Sequence, residues 1–96
     1  MTKSILQDGK YCMICGTTQG LQLHHLYPGP YRKKADKYGL TCFLCFDHHV
    51  GNHGVHTTPE GQARWKKLKA IGQKRFEELY SHDLFMKEFK RNYLEE

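Results

Sequence analysis

Cysteines and histidines are concentrated in the first half of this chain of 96 residues. All four cysteines and six of the seven histidines lie between Cys12 and His56. Most of them belong to four short motifs, which are Cys12-x-x-Cys15, His24-His25, Cys45-x-x-His48-His49 and Gly54-Val55-His56. Thiolates and imidazoles bind zinc and other transition metals, and a neutral imidazole also accepts protons near physiological pH. The motifs therefore predict metal binding and provide a candidate general base.

The candidate ligands divide into two sites by residue type. A structural zinc ion is enclosed by four thiolate or imidazole ligands, whereas a catalytic ion keeps positions open for water and substrate. Cysteines spaced in this way in a reducing compartment are more often metal ligands than disulfides. Cys42 forms a second Cys-x-x-Cys pair and could replace His48, but it lies in an apolar run, where cysteine is ordinarily a small buried residue. We therefore assign to structural zinc Cys12, Cys15, Cys45 and His48.

Two short strands are predicted to position the histidine motifs. Residues 21–25 alternate between apolar and polar types, which indicates a strand that stops before the Pro-Gly-Pro segment 28–30. Residues 31–38 are predicted to be a basic loop, and the apolar run 40–44 a second strand. A short helix could begin within residues 47–50, but the glycines that follow limit it to about a turn and a half.

Two helices are predicted in the second half of the chain. Thr57 or Thr58 can cap the first, whose apolar residues recur at spacings of three and four: Trp65, Leu68, Gly72, Phe76 and Leu79. Ser81 can cap the second, which is expected to end near Leu94 with aromatic residues one turn apart: Phe85, Phe89 and Tyr93. We expect one α+β domain over residues 1–96, with the metal sites in 1–56 and the helices in 57–96.

The composition indicates a small basic domain. Fifteen Lys and Arg residues against ten Asp and Glu give a net charge of +5, which suits a polyanionic partner, although a solvated helix face carries similar charge runs. A domain of this size has a small core, so a metal staple would add useful stability. Residues 1–10 lack a secretory signal, and no apolar stretch approaches the roughly 18 residues of a membrane span. The sequence therefore predicts a cytoplasmic protein with no membrane partner.

The order of these motifs resembles that of a known nuclease family. Adjacent histidines in residues 23–26, followed about twenty residues later by Leu44-Cys45-x-x-His48-His49, resemble the HNH (ββα-metal, His-Me finger) endonucleases, especially small phage-encoded members with zinc knuckles. The resemblance covers nearly the whole chain and includes Gly54-Val55-His56. It implies a ββα-metal unit of two antiparallel strands and a helix around an ion, stapled by zinc, with the two C-terminal helices packed on it. It also implies a phage or prophage protein in a bacterial host.

The resemblance implies roles in the catalytic site for four histidines of the first half. His25 would be the general base that deprotonates the attacking water. His24, His49 and His56 would bind one catalytic divalent ion, for which we expect Mg²⁺ first, with Mn²⁺, Ni²⁺ or Zn²⁺ as alternatives. His53 competes with His56, but pairing it with His49 requires a helix through two glycines, each of which costs roughly 1 kcal/mol.

The residue that orients His25 is left open by the sequence. Members of the family carry an asparagine about nine residues before the second ligand, where this chain has Leu40. Asn52 is the nearest asparagine, but it stands in a glycine-rich turn, where asparagine is common for backbone reasons. The sequence therefore predicts the base without predicting its partner.

DNA is the expected substrate and partner, and RNA is not distinguished from it. The basic residues expected on its phosphates are Arg32, Lys33 and Lys34. The chain could act as a homodimer or within a larger phage or host DNA-processing assembly. The alternative function is a zinc-finger module that binds DNA without cutting it, which would not need the histidines at 24, 25 and 56.

Overall fold

Two antiparallel strands form the sheet of this small domain. Together with the helices they make an α+β fold, and the fold class predicted from the sequence is confirmed. The structure, a computed structural model, describes residues 3–94. Strand β1 (Leu21–His25) pairs with strand β2 (Thr41–Cys45), and Leu23 lies opposite Phe43. Strand β2 begins one residue later than expected, because the backbone N–H of Leu40 donates to the carbonyl of Ala35 at the end of the preceding helix.

The basic segment between the strands is helical, so the prediction of a loop there was wrong. A 3₁₀ turn (Gly29–Tyr31) leads into helix α1 (Arg32–Tyr38), which ends at Gly39 in a left-handed conformation (φ 73°). Helix α1 has one buried residue, Ala35, among the basic side chains. A single apolar position gives no helical periodicity, which is why the sequence did not reveal this helix.

Helix α2 (Phe46–His49) follows β2 directly and makes a single turn. Its short length agrees with the limit predicted from the glycines after it. Gly54 lies against the end of α2, where a Cβ atom would come within 2.7 Å of the carbonyl oxygen of His49. The absence of a side chain at Gly54 therefore allows the chain to fold back over α2 before the next helix.

Helices α3 (Pro59–Leu79) and α4 (His82–Phe89) form the second half of the domain. The predicted caps are present, because Thr58 Oγ1 accepts from the N–H of Gly61 and Ser81 Oγ accepts from the N–H of Leu84. Helix α4 ends earlier than expected, since Lys90 adopts a positive φ of 65°. Tyr93 therefore lies beyond the helix, contrary to the prediction.

Helix α3 packs against the segment that follows β1. The indole N–H of Trp65 donates to the carbonyl of Leu26, and the hydroxyl of Tyr27 donates to the carbonyl of Lys69. Gly72 makes this approach possible, because a Cβ there would lie 2.5 Å from a methyl carbon of Leu26. No helix within residues 3–94 combines the length and the apolarity needed to cross a membrane. The strand ends and α3 thus form one packed unit around the histidines.

Candidate metal centres and the adjoining cleft

Three cysteines and a histidine converge at one end of the sheet, and we call them the cysteine cluster: Cys12, Cys15, Cys45 and His48. Their ligand atoms all lie within 4.8 Å of one another. The sulfurs of Cys15 and Cys45 are 3.8 Å apart, and the Cys45 sulfur is 3.2 Å from His48 Nδ1. Two thiolates bound to tetrahedral zinc at about 2.3 Å stand about 3.8 Å apart. The cluster could therefore bind a metal ion such as zinc, provided that the distance between the Cys45 sulfur and His48 Nδ1 increases by about 0.4 Å.

Local backbone structure brings these four ligands together. The first two ligands lie on a tight turn, in which the N–H of Gly16 donates to the carbonyl of Cys12 (2.8 Å). The N–H of Met13 donates to the carbonyl of Phe43 (2.9 Å), which fixes this turn to β2. Cys45 is both the last residue of β2 and the N-cap of α2, so His48 follows it by about one helical turn.

The cysteines differ in how readily they form thiolates. Burial raises the pKa of the Cys12 thiol, but hydrogen bonds from the backbone of neighbouring residues outweigh it and lower the pKa on balance. Cys42 is fully buried, and desolvation raises its pKa to about 12. It lies on the strand beside Leu44 and outside the cysteine cluster. The structure thus favours His48 over Cys42 as the fourth member of the cluster.

A second cluster, the histidine triad, consists of His24, His49 and His56. One ring nitrogen from each of these residues lies within 4.8 Å of the other two, so this group could hold a metal ion. Each residue comes from a different element: His24 from β1, His49 from α2, and His56 from the turn before α3. His53 lies outside the triad, with its Nδ1 2.9 Å from a carboxylate oxygen of Asp47.

Aromatic packing and one hydrogen bond orient the triad. The ring of Trp65 lies 4.9 Å from that of His24 and 4.8 Å from that of His56, measured between centroids. His49 Nδ1 lies 2.7 Å from Gln22 Oε1, and an amide oxygen can only accept, so Nδ1 donates the hydrogen bond. This assigns the proton of His49 to Nδ1 and leaves the Nε2 lone pair free for a ligand.

The electrostatics of the triad favour neutral imidazoles at His24 and His49. Burial, followed by the proximity of His49 and His56, lowers the pKa of His24 to about 3. Burial and the neighbouring His56 lower the pKa of His49 as well. His24 is 1% exposed, and its Nε2 has no hydrogen-bond partner among the described residues. An unpaired buried nitrogen costs roughly 1–3 kcal/mol, which a bound cation would relieve.

His25 lies beside the triad but has a different partner. Neighbouring strand residues point to opposite faces, yet His24 and His25 both open into one cleft of about 320 Å³ at the end of β1. His25 Nε2 lies 3.4 Å from Oδ1 of Asp36, a residue of α1. Asp36 was not predicted as a site residue, although it is the one carboxylate in the basic segment 31–38. Of the two positions considered instead, Leu40 is fully buried and Asn52 lies exposed in a turn.

The three basic residues expected to contact phosphates all lie on helix α1, but their side chains have different surroundings. Arg32 lines the cleft with the histidines, and together with Lys33 it also lines an adjoining cavity of about 530 Å³ beside His25. Lys34 is held by α4 instead, because its ammonium donates to the carbonyl of Glu88 (3.1 Å) and lies 3.7 Å from the Glu88 carboxylate. Only the first two therefore have a place near the candidate base.

Comparisons with known proteins do not assign the chain to a family. The chain matches no family model, no curated protein and no solved structure. Its resemblance to the HNH endonucleases therefore stays a prediction based on the motifs themselves. The function has to be inferred from the cysteine cluster, the histidine triad and the cleft that the triad shares with His25.

Proposed function

We propose that this protein is a metal-dependent endonuclease of the HNH type that hydrolyses DNA phosphodiester bonds. One observation carries the proposal: the histidine triad, whose buried His24 nitrogen is unpaired, shares its cleft with a candidate base, His25, and a cation, Arg32. Hydrolysis of a phosphodiester needs a cation at the phosphate, a base for the water and a way to hold the strand. These three requirements are met within one cleft.

The residues proposed to hold the catalytic ion are the three histidines of the triad. Three protein ligands leave positions open for water and phosphate, as in other catalytic sites. Imidazole suits Zn²⁺ and Ni²⁺ best, and Mn²⁺ accepts nitrogen ligands more readily than Mg²⁺, which prefers oxygen ligands; the triad contains no carboxylate. We therefore place Mg²⁺ after these ions, in contrast to the expectation from the sequence. When bound, the ion would stabilise negative charge on the phosphate and on the leaving oxygen.

His25 is the proposed general base, and Asp36 is proposed to orient it. Since Asp36 faces Nε2, the carboxylate favours the tautomer with its proton on that nitrogen and leaves Nδ1 to accept a proton from water. The same carboxylate would stabilise the imidazolium that forms, as the aspartate does in a catalytic triad. The separation of 3.4 Å lies within ion-pair distance and exceeds that of a normal hydrogen bond.

Phosphate contacts are proposed for Arg32, which lines both cavities that His25 lines, and for Lys33, which lines one of them. Guanidinium binds phosphate oxygens through two parallel hydrogen bonds, so Arg32 suits the phosphate that is cut. Lys33 would contribute a compact, strongly hydrated point charge nearby. Contacts of this kind position the strand without reading its sequence.

The cysteine cluster is proposed to hold a structural zinc ion. Its four ligands join the N-terminal turn to the junction of β2 and α2, and α2 also carries His49. Zinc would therefore fix the element that presents a triad ligand. This role separates the two metals, because the closed site supports the fold while the open site serves the chemistry.

The proposal is tested by incubating supercoiled plasmid with the protein and one divalent ion at a time. We expect nicked circles with Mn²⁺, Ni²⁺ or Zn²⁺ and little or no product with His49→Ala, because the triad loses a ligand. His53→Ala is the matched control, since His53 lies outside the triad. DNA binding without nicking by any of these ions would instead support the zinc-finger module that binds DNA without catalysis.

A further inference from the structure

A second cavity, which we call the basic pocket, opens on α3 beside the histidine triad. It has a volume of about 240 Å³, and its six lining residues come from α3 and from the segment after α4: Gln62, Trp65, Lys66, Lys69, Arg91 and Tyr93. Three of these residues are cationic, two are aromatic and none is acidic. The pocket therefore offers a positive site with two aromatic side chains in its walls.

Cations and rings are in direct contact inside the pocket. The ammonium nitrogen of Lys69 lies 4.5 Å from the ring centroid of Trp65 and 5.5 Å from that of Tyr93. The guanidinium carbon of Arg91 lies 5.3 Å from the Tyr93 centroid. Contacts with aromatic faces hold such side chains in place, so the charges are oriented before a ligand arrives.

The segment that carries Arg91 and Tyr93 is fixed to α3 by a buried glutamine. Gln73 is fully buried, and its amide oxygen accepts from the N–H of Tyr93 (2.7 Å). Its amide nitrogen donates to Asn92 Oδ1 (2.8 Å) and to a carboxylate oxygen of Glu77 (2.8 Å). These hydrogen bonds fix the position of the chain beyond α4. The wall of the pocket that this segment forms is therefore held in place by buried contacts.

Trp65 connects the basic pocket to the triad. The same indole lines the pocket and packs on the rings of His24 and His56, at 4.9 and 4.8 Å between centroids. Because one indole borders both sites, a strand with one phosphate at the triad can bring a neighbouring phosphate to the pocket.

We propose that the basic pocket binds a backbone phosphate of the DNA strand that is cut, next to the phosphodiester held at the triad. The inference rests on the proposed function and deepens it by naming a second contact with the substrate. A polynucleotide fits this pocket because it supplies a phosphate for the cations together with a neighbouring phosphodiester for the triad. An acidic protein partner would supply carboxylates without that phosphodiester.

The test measures binding of a fluorescein-labelled 20-base-pair duplex by anisotropy, at several salt concentrations and without added divalent ions. The intact zinc-loaded chain is compared with a double variant that combines Lys66→Ala with Lys69→Ala. Each lost phosphate contact should flatten the plot of log affinity against log salt by about one unit, so a decrease of up to about two units is expected. Lys66→Gln with Lys69→Gln retains more of the side chains and should give the same result if the alanine variant is unstable.

The matched control removes the same charge from the same helix. Lys67 is exposed and Lys74 lines a different cavity, so Lys67→Ala with Lys74→Ala should change the slope far less. Equal changes in the two double variants would overturn the inference. So would equal competition by polyglutamate and by unlabelled duplex at matched ionic strength, because it would indicate an acidic protein partner.

Plasmid nicking by the wild-type protein separates this inference from the proposed function. Nicking together with equal slopes for the two double variants would retain the nuclease and refute the basic pocket. A selective effect of the pocket lysines without nicking by any of the divalent ions would refute the nuclease and retain the pocket as a DNA-binding site.

Discussion

Loss of the cysteine cluster should destabilise the whole domain, and Cys45 is the most informative residue to change. Its sulfur is 3.8 Å from that of Cys15 and 3.2 Å from His48 Nδ1, so Cys45→Ala removes the ligand that joins the two halves of the site. Cys42→Ala is the matched control. It removes a fully buried sulfur from the same strand but outside the cluster.

The expected magnitude follows from the linkage between zinc binding and folding. Structural zinc in small domains binds with about 10–16 kcal/mol, and 12 kcal/mol corresponds to a Kd of about 1 nM. At about 1 μM free zinc, which is about 1,000 times that Kd, the bound ion contributes about 4 kcal/mol. Since 1 kcal/mol shifts the Tm of a domain of this size by about 4–8 °C, Cys45→Ala should lower the Tm by roughly 15–30 °C. Cys42→Ala should cost only about 1 kcal/mol, a typical value for a point mutation.

Zinc content by elemental analysis and thermal unfolding by circular dichroism, each with and without chelator, test this prediction. The wild-type protein and Cys42→Ala should hold one zinc per chain and lose stability when the chelator is added. Cys45→Ala should lack zinc and show no further effect of the chelator. A wild-type Tm unchanged by the chelator would refute the zinc staple, and loss of zinc from Cys42→Ala would refute the choice of His48.

Three further predictions concern the triad, the base and the phosphates. His56→Ala should weaken Ni²⁺ binding more than about tenfold, whereas His53→Ala should not. Binding is followed by quenching of the fluorescence of the single tryptophan, whose ring lies 4.8 Å from that of His56. The reverse ranking would remove His56 from the triad. Asp36→Asn should slow single-turnover cleavage by roughly 10- to 100-fold with unchanged Ni²⁺ and DNA affinity, and an unchanged rate would exclude it as the partner of His25. Arg32→Ala and Lys33→Ala should each flatten the salt dependence of DNA binding by about one unit, whereas Lys34→Ala should not, and equal slopes for all three would place the DNA elsewhere.

Much of the fold could be predicted because its signals are local. The alternation in residues 21–25, the caps at Thr58 and Ser81 and the glycines after α2 each specify their structure through neighbouring residues. Helix α1 was missed because it buries only one residue. The end of α4 was misplaced because Lys90 adopts a left-handed conformation that a lysine rarely takes.

The site was less predictable where it depends on contacts between distant segments. Residue types and spacing grouped the cysteine cluster, whereas the grouping of the histidine triad came from the resemblance to the HNH endonucleases. The pairing of Asp36 with His25 depends on how α1 packs at the end of β1, and the sequence contains no local signal for it. The position of Lys34 against Glu88 likewise depends on α4, which is distant in the chain.

Single-turnover nicking of supercoiled plasmid by His25→Ala is the most direct test of the proposed nuclease. The assay uses the ion that supports the highest wild-type rate, and His82→Ala is the control because His82 is exposed on α4. His25→Ala should retain zinc, Tm and DNA affinity while the cleavage rate falls at least about 100-fold, the scale of a lost general base. Cleavage by His25→Ala at the rate of the wild type and of His82→Ala would contradict the assignment of the base.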